Sequence, residues 1–175
     1  MYTGSAEPGV RNAIQYPMGH PAVPLTAMAR VTKNLGFAIT ASTSFEKPYI
    51  LAKRFSTLDQ LTKGRFGWNV VTSWKASGFE ADKIEAYVHY IDIDPVPHDK
   101  RYEVADEYLR VLYKLWEGSW ADDALIEDRK SGIYADFNSI RDIEHEGEHF
   151  KLKGSHILDP SPQRTPFIFQ AGTSP

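Results

Sequence analysis

Residues 37–73 read FAITASTSFEKPYILAKRFSTLDQLTKGRFGWNVVTS, and the order of patterns in this stretch decides the fold. "FAITAST" is short, apolar and then hydroxyl-bearing, as expected of a buried strand entering a loop. Phe45 to Pro48 makes a turn, and Pro48 suits a first helical turn, where a missing N–H costs nothing. Leu51, Phe55, Leu58 and Leu61 recur at helical spacing, and Lys63-Gly64 supplies the stop. "RFGWNVVTS" is the next strand, with Val70 and Val71 expected inside and Thr72-Ser73 at its exit. Upstream, residues 21–35 read as a helix: Pro21 or Pro24 starts it, Leu25, Met28, Val31 and Leu35 form its stripe, and Gly36 ends it. Helix, strand, helix, strand means a parallel sheet with crossover helices. Ligands of such sheets gather at the carboxyl ends of the strands. Ser42, Thr43 and Asn69 stand there, all small hydrogen-bonding residues.

Outside this stretch, residues 1–20 carry two Pro and three Gly with little periodicity and read as loop. Residues 74–97 are an irregular polar excursion. "HDKRYEVADEYLRVLYKLWEG" is a strong helix from about Asp99 to Glu117, with Tyr102, Ala105, Leu109, Leu112 and Trp116 as its apolar stripe. Short strands and loops follow. "PSPQRTPFIFQAGTSP" then holds a strand at Phe167–Gln170 that runs into a small-residue loop. The chain divides at 21–73, 74–97, 98–118, 119–160 and 166–175.

The composition is globular: 175 residues, 42% hydrophobic, with a formal charge of −3. So mild a charge gives no pull towards nucleic acid or an anionic membrane. The absence of Cys removes disulfides, thiolate metal sites and a Cys nucleophile. No signal peptide or spanning segment is visible, so a soluble cytoplasmic protein is the default expectation. The aromatic content, 13% with four Trp and nine Tyr, suits a flat-ligand pocket and also an ordinary core; Trp68, Trp116 and Trp120 are assigned to packing.

"HEGEH", His145 to His149, fits the H-E-x-x-H pattern of zinc proteases. That chemistry needs a helix, which sets both imidazoles on one face with Glu146 beside the metal-bound water. Gly147 costs a helix about 1 kcal/mol relative to Ala. The flank alternates, with Phe150 and Leu152 against His149, Lys151 and Lys153, which is strand spacing. A surface hairpin turning at Glu146-Gly147, with exposed His, is therefore expected. The nearest third ligand, His156, does not fit the extended zinc pattern, and a zinc metalloprotease stays a remote alternative.

Several segments together resemble one family. They are "QYPMGHPAVPLTAMARVTKNLGFAITASTSFEKPYILAKRFSTLDQLTKGRFGWNVVTSW", "HDKRYEVADEYLRVLYKLWEGSWADDAL", "HEGEHFKLKGSH" and "PSPQRTPFIFQAGTS". They are similar, in order, to the nitrilotriacetate and dibenzothiophene sulfone monooxygenases, which are bacterial luciferase-like flavin enzymes. The resemblance implies an α/β fold of the TIM type, with a barrel part at 21–73, an insertion at 74–97, a long helix at 98–118, an insertion hairpin region at 119–160 and a strand with a phosphate loop at 166–175. It also implies reduced FMN as cofactor, an NAD(P)H-dependent flavin reductase as partner, and a small organic substrate. It implies flavin contacts at Ser42, Thr43, Asn69, His98 and Tyr102, and phosphate contacts at Thr173 and Ser174. His98 is the best titratable candidate for catalysis. On the residues alone, Ser42 and Thr43 equally suit a turn cap, His98 a backbone bond at a helix start, and Tyr102 a place in the core. A complete barrel takes about 250 residues, so this chain is expected to be an incomplete barrel fragment. About three of its strands would be parallel barrel strands, and the fragment could be catalytically inactive alone. Homo-oligomerisation is left open by the sequence.

Overall fold

The computed structural model describes residues 11–13, 19–72 and 98–171. Helix α1 spans Ala22–Val31, strand β1 Phe37–Ser42, helix α2 Pro48–Thr62 and strand β2 Phe66–Val71. Helix α3, His98–Tyr113, runs on into a π-helical turn at Lys114–Gly118. Two short hairpins follow: β3 (Leu125–Asp128) with β4 (Ile133–Ala135), and β5 (Ile143–Glu146) with β6 (Lys151–Gly154). Strand β7, Phe167–Phe169, joins the first sheet, whose order is β1-β2-β7. Both pairings in that sheet are parallel. The expected three parallel barrel strands are these. Residues 74–97, Thr173 and Ser174 lie outside the described residues. No described helix is long and apolar enough to cross a membrane.

The core forms where α2 lies on β1 and β2. Leu51, Phe55 and Leu58 are buried as expected, together with Ala52, against Phe37, Ile39, Phe66, Trp68 and Val70. Phe55 packs edge-on to Phe66 at 5.0 Å and to Trp68 at 5.3 Å, geometries that suit the ring quadrupole. The indole N–H of Trp68 donates to the Ala41 carbonyl at 3.0 Å, that of Trp116 to Ala52 at 3.3 Å, and that of Trp120 to His156 at 2.8 Å. The three Trp are packing residues. Lys63 caps α2 in the left-handed conformation at φ 56°.

Three expected faces need correction. Leu61 is exposed, because α2 turns Asp59 and Thr62 inward instead. Val71 is half-buried, because strand alternation gives the core to Phe66, Trp68 and Val70. On α1 the buried face is Ala22, Leu25 and Ala29, and Val31 is 83% exposed, with Met28 and Leu35 also exposed. The helix stops at Val31 rather than Gly36, with Thr32 extended. Arg65 replaces a conventional cap there. It donates to the carbonyls of Ala29 at 3.2 Å, Leu35 at 2.8 Å and Thr62 at 2.7 Å.

Replacing Phe55 by Ala removes a fully buried ring and is expected to cost about 3–5 kcal/mol in urea unfolding. Ile50→Ala, on the exposed side of the same helix, should stay within about 0.5 kcal/mol.

Candidate functional site

Alternation of side chains gives the first sheet a second face, turned away from α2. In register it reads Ala38–Gly67–Phe167, then Thr40–Asn69–Phe169, then Ser42–Val71. Ala38, Thr40, Phe167 and Phe169 are exposed on it. Gly67 is needed in the first layer, since a Cβ there would stand 3.2 Å from the Phe167 carbonyl oxygen. In the second layer, the Asn69 amide donates through Nδ2 to Thr40 Oγ1 at 3.0 Å. Its Oδ1 is buried and has no hydrogen-bond partner. A buried amide acceptor without a donor costs free energy unless something supplies the donor.

The third layer is the carboxyl end. The Ser42 hydroxyl oxygen accepts from the Ser44 N–H at 3.0 Å, so Ser42 does cap a turn and keeps its own O–H free to donate. Ser44 donates to the Thr72 carbonyl at 2.8 Å, tying the loops after β1 and β2 together. The Thr43 N–H extends the ladder to Val71 at 3.0 Å, and its side chain is buried. The register therefore brings Ser42, Thr43 and Asn69 to one end of one sheet. Tyr102 is not a core residue: it is 39% exposed on α3, which packs on α2. His98 opens α3, and its side chain is outside the described part. A larger hollow of about 480 Å³ opens at the opposite, amino end of the strands. Its lining is mainly backbone and rings, and its one amide, Gln163, is already bonded to Asp59 and Phe66.

The "HEGEH" string is a hairpin, with β5 ending at Glu146 and β6 starting at Lys151, so its turn lies beyond the expected Glu146-Gly147. His145 and His149 are not a helical pair. Among the described residues no group of three or more His, Asp or Glu is placed to hold a metal ion. The His are not simply exposed, as expected for a surface turn. The side chain of His145 is only 9% exposed, with Nε2 3.0 Å from Glu107 Oε1. The same carboxylate accepts from the N–H groups of His149 at 3.0 Å and Phe150 at 2.8 Å. Burial opposes its charge, but the hydrogen bonds from His145, His149 and Phe150 outweigh it and pull the carboxyl down to about 2. Gly147 leaves room for this carboxylate: a Cβ there would stand 2.0 Å from Glu107 Oε1, so the carboxylate would have to shift out of its bonds.

These features belong to a known class of protein. The chain matches the luciferase-like monooxygenase family over residues 8–175 and belongs to it. Dimethyl-sulfide monooxygenase of Hyphomicrobium sulfonivorans is 50% identical over 175 residues, 99% of this chain and 35% of the relative. Dibenzothiophene-sulfone monooxygenase of Rhodococcus erythropolis is 41% identical over 155 residues, 89% of this chain and 32% of the relative. Nitrilotriacetate monooxygenase component A of Aminobacter aminovorans is 41% identical over 154 residues, 88% of this chain and 32% of the relative. The crystal structure of DmoA from Hyphomicrobium sulfonivorans superposes with a TM-score of 0.86 at 50% identity, over 98% of this chain and 35% of that one. That of a riboflavin lyase with modified FMN and riboflavin does so with 0.82 at 39% identity, over 96% and 36%. The chain thus spans about 35% of the length of its relatives, within a fold of the TIM type.

Two measurements test the Glu107 node. Gly147→Ala should destabilise the protein about as much as Glu107→Ala, roughly 2–4 kcal/mol by thermal unfolding, since either breaks the buried carboxylate's bonds. The pH dependence has a fixed sign. Glu107 takes up its proton near 4.5 when unfolded but only near 2 when folded, so its contribution is complete above pH 4.5 and is lost as pH falls towards 2. A urea midpoint that is flat across that window in wild type and Glu107→Gln alike would contradict this.

Proposed function

We propose that this chain forms the flavin-facing wall of a two-component monooxygenase. In this reading a separate NAD(P)H-dependent reductase delivers reduced FMN, and a small organic substrate is oxygenated. The observation that supports it most is the buried, unpartnered Oδ1 of Asn69 in the Thr40–Asn69–Phe169 layer. A flavin ring edge carries N–H donors of the kind that this acceptor lacks.

The residues then take definite roles. Thr40 fixes the Asn69 amide so that its oxygen faces the ring. Ser42, whose oxygen lone pair is engaged by Ser44, contributes a donor at the carboxyl end of β1. Thr43 holds that loop to β2. His98 and Tyr102, four residues apart in the first turns of α3, are the ring and phenol assigned to the flavin in this reading. Thr173 and Ser174, beyond the end of β7, hold the phosphate with backbone N–H and hydroxyl groups. Bound flavin supplies the oxygen chemistry itself; the protein binds it, orients it and excludes water. His98 is the residue assigned to hold or move a proton in this reading.

The isolated chain offers about three of the eight strands of such a barrel, so it is expected to bind reduced FMN weakly or not at all. Anaerobic titration of the 175-residue chain with reduced FMN checks this; micromolar affinity there, or turnover in air with a reductase added, would contradict it. A protein carrying the whole barrel around these residues should bind reduced FMN and consume oxygen when a reductase is added. There, Asn69→Leu should weaken FMN binding about tenfold, roughly 1.4 kcal/mol, with little change in the unfolding midpoint. Unchanged affinity would count against the assigned site.

A further inference from the structure

Beneath α2, on the side away from the open sheet face, Ser56 and His156 form a buried pair that the flavin reading does not use. His156 is held on several sides. Its Nε2 lies 3.0 Å from Ser56 Oγ. Its backbone N–H donates to Ser119 Oγ at 2.9 Å, and its carbonyl accepts from the Trp120 indole at 2.8 Å. Tyr49 packs edge-on to the ring at 6.2 Å. One polar atom is left over: Nδ1 is buried and has no hydrogen-bond partner. Beside the ring is a small, partly open cavity of about 10 Å³. Its lining is more apolar than polar, and Ser56, His156, Asp159, Ser161 and Arg164 are the polar residues among those that form it. Such a volume is that of about one water-sized probe, and a water there needs polar partners such as the unbonded Nδ1.

We propose that this cavity is a binding site for a single water molecule, hydrogen-bonded to His156 Nδ1 and completing a Ser56–His156–water chain. The donor and acceptor inventory selects water. If the Ser56 hydroxyl donates to Nε2, the ring proton sits on Nδ1 and needs an acceptor. If Nε2–H donates to Ser56, Nδ1 is a bare lone pair and needs a donor. Water serves both cases, whereas a cation serves only one and would also face the Arg164 guanidinium. Burial pushes the His156 ring down to about 4, against the Asp159 carboxylate that favours its charge and together with Lys53 that opposes it. That direction favours the neutral ring that a one-water chain requires.

The site also has a place in the architecture. The segment from His156 to Arg164 leads into β7. It is fixed to α2 at three points: Ser56 through His156, Asp59, which accepts from the Gln163 N–H at 2.8 Å, and Gln60, whose amide donates to the Asp159 carbonyl at 3.3 Å. The water makes the first point complete.

The test is a crystal structure of the full chain at a resolution that shows ordered solvent, paired with long-range proton–nitrogen NMR of the His rings. One solvent peak within hydrogen-bond distance of His156 Nδ1, and a single neutral tautomer with a cross-peak to water, are expected. A cavity without solvent density and with Nδ1 bonded to Asp159 would overturn the proposal, as would a ring averaging between tautomers. Ser56→Ala keeps Nδ1 and should keep the peak, whereas His156→Phe should lose it. A peak lost in the first variant or kept in the second assigns the water to other groups and overturns the proposal.

Discussion

Helix α2 buries Leu51, Ala52, Phe55 and Leu58 against Phe37, Ile39, Phe66, Trp68 and Val70, and this burial sets the face of every residue in β1 and β2. Side chains alternate along a strand, so committing these to the core commits Ala38, Thr40, Ser42, Gly67, Asn69 and Val71 to the other side. A slip of one residue would exchange the two sets and place Phe66 and Trp68 on the open face. The polar layer around Asn69 is thus a consequence of apolar packing. The core does not touch the candidate site, yet it determines which residues the site can contain.

Distant polar contacts do the second half of the work. The third strand reaches the sheet after a long excursion, and a three-residue strand has little ladder of its own to hold it. Asp59 and Ser56 on α2 anchor the segment that delivers it, through Gln163 and His156. Glu107 on α3 does the same for the second hairpin, with one carboxylate gathering a ring and two backbone N–H groups. Buried charge is tolerated there because each bond goes to a donor, and Gly147 gives the hairpin room to approach.

The alternation of helix and strand over residues 21–73 was legible because it depends on local pattern, and so were the three parallel strands. The resemblance pointed correctly to the luciferase-like family. The buried face of α1 was not legible. Ala22 and Ala29 carry less apolar weight than Met28 and Val31, so the pattern favoured the wrong stripe; close approach to α2 rewards small residues instead. The polar anchors were hidden for a different reason. Their partners lie 38, 100 and 104 residues apart, and no local spacing encodes such pairs. "HEGEH" shows the two effects together. The hairpin was readable from Gly147 and the alternating flank, although its turn lies beyond the expected Glu146-Gly147. The reason that Gly147 stands there, a carboxylate from α3 reaching into the turn, was not.

The central claim is that the Thr40–Asn69–Phe169 layer faces a flavin ring. The measurement that tests it most directly is a crystal structure of the whole-barrel protein with FMN bound. The account predicts the isoalloxazine edge over this layer, with a ring nitrogen within hydrogen-bond distance of Asn69 Oδ1. FMN bound elsewhere, with Asn69 Oδ1 turned to a protein donor, would contradict it.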